Sequence, residues 1–349
     1  MRAMLMNKKI AVGLFSGGLD SWLSAILIHR QGFDVHLLHF VSPYFGYSGE
    51  KLEEARKRVE EKGMRLIVHE FGEDYIQNVV KKPKHGVGSS MNPCIDCHRY
   101  MLSMANKKRE ELNAEFVFSG EVLEQRPMSQ NKRALHLIEK ESGLSGFLVR
   151  PLSAKLLDPS IPEQRGILDR EKLLNISGRG RSHQVALAKE LGLDKYPQPA
   201  GGCKFTDPNL KKRFLTLRKI NKDITWNDLK LLISARHFLL DDDALFTVAR
   251  DEKECSTLFK DFPKDILIEA SDMVPSAVGL LIKYSKGVKV EVDLNSDYAK
   301  MAGRIIARYS KAHQQGKDKI NVSYFKDGGE VLKKELTPFT DAELLKYRL

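Results

Sequence analysis

A short glycine-containing turn between an apolar strand and a helix constrains the fold of this chain most strongly. Residues 8–15 form an apolar run, residues 16–21 read SGGLDS, and a helical pattern continues from Trp22 to His29. Two glycines let the backbone approach a ligand closely, while the serine hydroxyls and the amides of the helix start can donate to phosphate oxygens. The sequence therefore predicts an anion-binding turn. Because the Walker lysine is absent, a P-loop NTPase is disfavoured.

Strand and helix patterns alternate after this turn. Strands are predicted at 34–41, 65–71 and 115–119, and helices at 50–62 and 97–112. This alternation predicts an α/β fold with a doubly wound parallel sheet of the Rossmann-like kind. Ligands of such sheets bind beyond the carboxyl ends of the strands, so the turn and Gly120 are expected to open into one crevice.

The pattern changes twice along the chain, which predicts three segments. Residues 1–150 form the domain that carries the anion-binding turn, and residues 151–222 form a basic, Gly/Pro-rich extension that folds back on it and completes the site of the cysteines described below. Residues 223–349 contain short strand-like runs and one helix over 297–314, which predicts a smaller α+β domain.

Charge and hydropathy narrow the class of partner. The chain has 57 Lys+Arg and 46 Asp+Glu among 349 residues, a formal charge of +11. A basic surplus favours a polyanion such as nucleic acid, with a basic enzyme of small anionic substrates as the alternative. No apolar run is long enough to span a membrane, and the first ten residues lack the features of a signal peptide. We therefore expect a cytoplasmic protein without membrane partners.

Three of the four cysteines stand in loop-like contexts that could converge. Cys94 and Cys97 lie in NPCIDCH, Cys203 lies in PAGGCKF, and Cys255 looks incidental. A sulfur-handling site is the first interpretation, and Cys97, at a predicted helix start near Arg99, is expected to have a lowered pKa. The alternatives are a zinc site completed by His98 or His183, ordinary buried thiols, and a c-type haem attachment.

The SGGLDS turn resembles the pyrophosphate-binding loop of the PP-loop ATP pyrophosphatases. The resemblance implies ATP and Mg²⁺ as cofactors, cleavage between the α- and β-phosphates, and release of AMP and pyrophosphate. It leaves the substrate open, because amide ligases and RNA sulfurtransferases share the turn. The implied ATP-binding residues are Ser16, Gly17, Gly18, Leu19, Asp20, Ser21, Phe40 and Gly120.

The cysteine loops are similar to those of the tRNA 2-thiouridylase and 4-thiouridine synthase branch of that superfamily. This likeness implies an ATP-dependent tRNA sulfurtransferase with Cys97, Cys203 and Asp20 as catalytic residues. Three cysteines resemble the tRNA thiolases whose Cys94, Cys97 and Cys203 equivalents hold a 4Fe-4S cluster; a Cys97/Cys203 persulfide relay is the runner-up. The sulfur donor would be sulfide or a persulfide-carrying protein. Which uridine is thiolated and whether the chain forms a homodimer stay open. Two other functions also stay open: another PP-loop enzyme with a structural zinc site, and an RNA-binding adaptor.

Basic residues flank the proposed chemical loops, and the C-terminal segment resembles the RNA-binding module of NFACT proteins. These residues could neutralise RNA phosphates. Arg236, His237 and Phe238 either contact RNA or are strand residues of a packed core. The predicted RNA-binding set is Lys81, Lys82, Lys84, Arg179, Arg181, Lys211, Lys212, Arg213 and Arg236.

Overall fold

The computed structural model describes residues 9–194, 196, 203–271 and 277–349, and it divides into two compact units. The first unit is Met1–Thr206 and the second is Asp207–Leu349. Residues 207–222 of the predicted extension thus group with the C-terminal unit. The residues before them share a hydrophobic core with the first domain through Leu152, Leu173 and Ala188, among others.

The first unit is built on a five-stranded parallel sheet in the order β3-β2-β1-β4-β5. Its strands are β1 Ile10–Leu14, β2 Asp34–Val41, β3 Arg65–Glu70, β4 Phe116–Phe118 and β5 Leu148–Val149. Its helices are α1 Leu19–His29, α2 Glu50–Glu61, α3 Glu73–Tyr75, α4 Cys94–Glu111, α5 Lys132–Glu141, α6 Ile161–Gln164 and α7 Ser182–Glu190. The predicted α/β class is therefore confirmed.

The central strands are buried because helices cover both faces of the sheet. Ala11, Leu37 and Phe118 share one core with side chains of α1 and α7. The alternate residues of these strands point to the opposite face, and α4 contacts both β1 and β4. The strands β2 and β3 are added on one side of β1, and β4 and β5 are then added on its other side. A crevice therefore opens beyond the carboxyl ends of these two neighbouring strands.

Helix α4 begins at Cys94, earlier than the predicted start at Cys97. Pro93 is the N-cap residue, and its carbonyl accepts a hydrogen bond of 2.8 Å from the Cys97 amide. Proline is tolerated there because a helix start needs no N–H from it. Both Cys94 and Cys97 are therefore carried on the first helical turn rather than on a loop.

The second unit is an antiparallel sheet in the order β12-β11-β8-β9-β7-β6, with β10 paired to β9. Its strands are β6 Arg236–Asp241, β7 Ala244–Val248, β8 Ile266–Ala270, β9 Val278–Ser285, β10 Val288–Val290, β11 Ile320–Lys326 and β12 Gly329–Leu336. Its helices are α8 Pro208–Ile220, α9 Trp226–Ile233, α10 Glu252–Asp261, α11 Asp297–Tyr309, α12 Lys311–Gln314 and α13 Asp341–Leu345. The separate α+β domain is confirmed.

Two predictions for this unit are corrected. The single helix predicted over 297–314 is two helices, because Ser310 adopts an extended conformation and its hydroxyl accepts a hydrogen bond from the His313 amide. Further helices are also present beyond residue 224, including α9 and α10. Mixed polar and apolar residues weaken the helical pattern of α10, whose only buried side chain is Leu258.

Candidate active site

A cavity of about 460 Å³ opens beyond the carboxyl ends of β1, β2 and β4, all within the first unit. The SGGLDS turn, the β2–α2 loop, the start of α4, the segment after β4, Arg181 and residues 203–206 contribute to its walls. Phe40, predicted as an adenine-pocket candidate, also lines it and packs against Phe71 at 5.1 Å between ring centroids. Distant parts of the chain thus meet at the crevice that the sheet topology predicts.

The SGGLDS turn has a backbone conformation that requires glycine. Gly17 has a φ of +76°, and a Cβ atom there would lie 2.2 Å from the Tyr47 ring. The Gly18 amide donates to the Ser16 hydroxyl at 3.3 Å, and the Ser21 hydroxyl donates to the Gly18 carbonyl at 2.7 Å. The turn leads directly into α1 at Leu19. Amide groups of this helix start are suited to bind phosphate oxygens.

Gly120, immediately after β4 and Ser119, packs against this turn. A Cβ atom at Gly120 would lie 2.7 Å from the Ser21 amide nitrogen and 2.9 Å from the Asp20 carbonyl oxygen. Real Cβ atoms do not approach backbone this closely. Only glycine lets the segment after β4 form one wall of the cavity with the turn as its neighbour.

Asp20 is held by side chains that come from distant segments. Gln125 donates to Asp20 Oδ2 at 2.8 Å, and the buried Gln184 donates to Gln125 Oε1 at 3.1 Å. Arg181 Nη2 lies 3.7 Å from Asp20 Oδ2. Asp20 Oδ1 is buried and has no hydrogen-bond partner within the described part of the chain. This carboxylate oxygen is therefore left to a ligand.

The thiols of Cys94, Cys97 and Cys203 all line the cavity. Asn92 donates to Cys94 Sγ at 3.0 Å, and the Tyr75 hydroxyl donates to Cys97 Sγ at 3.3 Å. The convergence that the sulfur-handling interpretation requires is thus present, although residues 199–202, which precede Cys203, lie outside the described residues.

Two contacts position the Cys203 segment. The Phe205 ring stacks on Tyr44, with 3.9 Å between centroids and 5° between planes. The Lys204 amide donates to the Tyr44 carbonyl at 2.9 Å. These contacts attach the segment to the loop that follows β2.

The expectation of a lowered pKa for Cys97 is wrong. Burial raises the pKa of the Cys97 thiol well above its ordinary value, and the hydrogen bond from Tyr75 only partly opposes this. Arg99, expected to help, lies 3.6 Å from the Asp96 carboxylate instead. Burial likewise raises the pKa of Cys203 to about 11, while the Phe205 amide and Arg126 lower it. Both thiols are protonated near neutral pH until a ligand or base takes the proton.

The three cysteines have the donor chemistry that an iron–sulfur cluster requires. Three cysteines that line the same cavity supply sulfur, which is the ligand type that a cluster uses. Within the described ranges, no three His, Cys, Asp or Glu side chains stand close enough together to hold one metal ion. His183 is exposed and does not line the cavity, and His98 Nδ1 is 2.8 Å from Glu121 Oε1. A cluster is wider than one ion, so its thiolates need not meet at a single point.

His98 belongs to a buried charge network that the sequence did not reveal. Glu121 lies between His98 and Arg150, whose Nε is 3.0 Å from Glu121 Oε2. Burial would raise the pKa of Glu121, but Arg150 and His98 outweigh it and lower that pKa to about 2. Glu121 is therefore ionised, and it fixes the His98 ring at the cavity wall. No local motif marks this network, because its members lie on different elements.

Arg126 is a further cavity residue that sequence reasoning missed. It is exposed, lines the cavity, and lowers the pKa of Cys203 by its charge. In the sequence, nothing in the segment QRPMSQ distinguishes Arg126 from any other exposed arginine. Only the folded chain brings this guanidinium close to a cysteine that lies far along the sequence.

The predicted RNA-binding residues have diverse surroundings. Lys84 pairs with Glu141, Lys212 donates to the Arg348 carbonyl, and the half-buried Arg213 donates to the Leu232 carbonyl. The Arg236 guanidinium lies over the Tyr309 ring. His237 and Phe238 are fully buried residues of β6, which corresponds to the core alternative. The exposed members of the set are Lys82, Lys84, Arg179, Lys211 and Lys212.

No helix in the described ranges is long and apolar enough to cross a membrane.

The sheet order and the glycine turn at its switch point are typical of nucleotide-binding domains of the PP-loop class. Residues 7–155 match the family described as thiamine biosynthesis protein (ThiI). Residues 235–348 match the NFACT protein RNA binding domain. The resemblance inferred from the turn, the cysteines and the C-terminal segment is therefore confirmed.

Curated relatives match part of the chain. A tRNA-specific 2-thiouridylase, MnmA, of Clostridium acetobutylicum is 30% identical over 128 residues, covering 33% of this chain and 36% of that protein. A probable tRNA sulfurtransferase of Methanocaldococcus jannaschii is 26% identical over 193 residues, covering 53% and 45%. The chain thus spans less than half the length of these two relatives.

Similar solved structures include a 4-thiouridine synthetase in complex with RNA and ATP. The identity is 24% and the TM-score is 0.37, with 59% of this chain and 50% of that chain covered. The U34-tRNA thiolase NcsA of Methanococcus maripaludis, solved with its 4Fe-4S cluster, is 21% identical with a TM-score of 0.30. It covers 61% of this chain and 66% of that chain.

Proposed function

We propose that this chain is an ATP-dependent tRNA sulfurtransferase that converts a uridine carbonyl to a thiocarbonyl. The observation that carries the proposal is the presence of three thiols and a phosphate-binding turn in the walls of one cavity. A carbonyl oxygen is a poor leaving group, so its replacement by sulfur requires activation first. Adenylation supplies that activation, and the turn and the thiols then serve one reaction.

The reaction has two steps. The uracil carbonyl oxygen attacks the α-phosphorus of ATP, and pyrophosphate leaves with the electrons of the bond that breaks. A sulfur nucleophile then attacks the activated carbon, and AMP leaves with the original oxygen. Amides of the SGGLDS turn stabilise the pyrophosphate, and Asp20 is the residue that would hold Mg²⁺.

Sulfur handling falls to Cys94, Cys97 and Cys203. In our first version these three thiolates hold a 4Fe-4S cluster, which would supply an iron site for a sulfide. In the alternative version, Cys203 carries a persulfide and Cys97 forms a disulfide with it as the sulfur departs. The donor is sulfide in the first version and a persulfide-carrying protein in the second.

The tRNA partner is supported by the composition and by both units. The chain has a formal charge of +11, and its C-terminal unit is similar to an RNA-binding domain. The relatives of the first unit carry the names tRNA 2-thiouridylase and tRNA sulfurtransferase. We keep the predicted RNA-binding residues other than Arg181, which lines the cavity, as part of this proposal, together with a homodimer as an open alternative.

Cysteine variants test the proposal and separate its two versions. We expect Cys97→Ser and Cys203→Ser to abolish thiolation of tRNA, measured by nucleoside mass spectrometry, while ATP still binds. Cys94→Ser decides the version: it removes iron and activity if a cluster is used, and it retains activity in a persulfide relay. The protein is purified without oxygen so that a cluster survives.

Cys255→Ser is the matched control, because Cys255 lies on α10 and does not line the cavity. Full activity is expected for this variant. Full sulfur incorporation by Cys97→Ser or Cys203→Ser would refute the assigned role of that thiol. ATP turnover by a zinc-loaded protein without any need for tRNA would refute the function itself.

A further inference from the structure

The proposed ATP site needs positive charge that its turn does not contain. The triphosphate is strongly anionic, but residues 16–21 include no Lys or Arg and do include the acidic Asp20. Backbone amides and a single Mg²⁺ together leave part of that charge uncompensated in a partly closed cavity. Among the described residues that line the cavity, the arginines are Arg126 and Arg181, and no lysine lines it.

Arg181 is the arginine that faces the phosphate turn. Its Nη2 lies 3.7 Å from Asp20 Oδ2, and its side chain is 24% exposed. Arg126, in contrast, is exposed and acts electrostatically on Cys203, at the sulfur end of the cavity. The two guanidinium groups therefore belong to different ends of the same site.

The position of Arg181 is fixed from the helix that follows it. Arg181 is the N-cap residue of α7, and Gln184 on the first turn of that helix is completely buried. Gln184 reaches Asp20 through Gln125 by hydrogen bonds of 3.1 and 2.8 Å. Ala188 anchors α7 in the core that also contains Leu19 of α1. Two routes thus connect α7 to the turn, so Arg181 is preorganised at its edge.

We infer that Arg181 binds the phosphate chain of ATP and exchanges its contact with Asp20 for that ligand. A guanidinium at this position supplies the charge that a Walker lysine provides in other nucleotide sites. It also stabilises the pyrophosphate as it departs. Arg181 therefore belongs to the nucleotide site, unlike the exposed Arg179, with which the sequence grouped it as an RNA contact. The inference rests on the use of ATP proposed above.

Calorimetric titration of the full chain with three ligands tests the inference. For Arg181→Ala we expect ATP and inorganic pyrophosphate to bind about tenfold to a hundredfold more weakly, the range for loss of a charge-assisted contact. Adenosine, which has no phosphate, should bind as it does to the unaltered protein. Arg181→Lys should recover part of the lost affinity, because it keeps the charge but not the planar fork.

Arg133→Ala is the control, because Arg133 is an exposed arginine on α5 that does not line the cavity. Its affinities should equal those of the unaltered chain. If the unaltered chain binds no ATP, the proposed function fails. If it binds ATP and Arg181→Ala binds ATP equally well, this inference fails while the function stands. Loss of adenosine binding in Arg181→Ala would also overturn it, since the residue would then be structural.

Discussion

Gly120 shows how one missing Cβ atom lets two segments of the cavity wall approach each other closely. Its α-carbon lies so close to the backbone of Asp20 and Ser21 that an added methyl group would force the two segments apart. We expect Gly120→Ala to destabilise the protein by about 1–3 kcal/mol, the usual cost of overpacking, and to weaken ATP binding. Urea denaturation and calorimetric titration with ATP measure the two effects.

Gly180→Ala is the matched control for this substitution. A Cβ atom at Gly180 would meet nothing within 4 Å, and the residue does not need a positive φ. Its stability and ATP affinity should stay unchanged. Equal behaviour of Gly120→Ala and Gly180→Ala would contradict the close approach described for the turn.

The pKa of the buried His237 predicts how the free energy of unfolding depends on pH. Burial, together with the charge of Arg213, lowers the pKa of His237 to about 3 from an ordinary 6.5. The unfolded chain therefore takes up the proton first, and stability falls as the pH is lowered from about 6.5 towards 3. The slope contributed by this group is at most about 1.4 kcal/mol per pH unit. Urea denaturation at pH 7, 6 and 5 measures it.

His237→Gln separates this group from the other titrating residues. Glutamine is neutral throughout the range, so the pH slope of the variant should be smaller than that of the unaltered chain. An unchanged slope in a folded variant would show that His237 does not titrate differently in the two states. The stability at pH 7 serves as the reference for any packing effect of the substitution itself.

The ion network of Glu121 ties elements of the first unit together. Arg150, immediately after β5, pairs with Glu121 after β4 and with Glu139 of α5, while His98 of α4 contacts Glu121 as well. Glu121→Gln leaves the buried Arg150 guanidinium without the more buried of its two carboxylate partners. We expect a loss of about 3 kcal/mol in the free energy of unfolding, measured with urea at pH 7.

Glu139→Gln tests whether burial decides this effect. The Glu139 side chain is 21% exposed, compared with 5% for Glu121, so water can replace part of its interaction with Arg150. Its substitution should cost less than that of Glu121. Equal losses from both substitutions would contradict the importance of burial.

Sequence reasoning succeeded for elements whose pattern is local. The strand predicted at 34–41 has those bounds because β2 is a mainly apolar run between helices, and α2 matches its prediction to within one residue. It failed at the start of α4, where Pro93 and the cysteines suggested a loop. The high pKa of Cys97 could not be foreseen either, because it follows from burial by the surrounding fold.

The same distinction applies to the site. The phosphate turn, Gly120 and the three cysteines were identified from short motifs, and they do line one cavity. Arg126, Gln125 and the His98–Glu121–Arg150 network were missed, because their partners lie far away in the sequence. Only the folded chain shows that Arg181 faces Asp20 rather than open solvent. Motifs thus identified groups that act within one segment, whereas pairs between segments required the structure.

The charge of the whole molecule predicts how tRNA binding responds to salt. With a formal charge of +11, affinity should fall steeply as salt concentration rises, because phosphate contacts release counterions. Lys82→Ala and Lys211→Ala, at exposed predicted contacts, should each lower the logarithmic salt slope by about 1. Fluorescence anisotropy with labelled tRNA from 50 to about 300 mM salt measures this slope.

Lys253→Ala, at an exposed lysine of α10 outside the predicted set, is the comparison. Its slope should equal that of the unaltered chain. If all three substitutions change the slope equally, binding depends on total charge and the predicted contacts have no special role.

The stacking of Phe205 on Tyr44 connects the segment of Cys203 to the loop that follows β2. Cys94 and Cys97 lie on a long helix, whereas Cys203 is followed by Lys204 and Phe205, which both contact Tyr44. Tyr44 in turn belongs to the loop that also carries Tyr47 against Gly17. One loop therefore supports both the SGGLDS turn and the segment that carries the third sulfur.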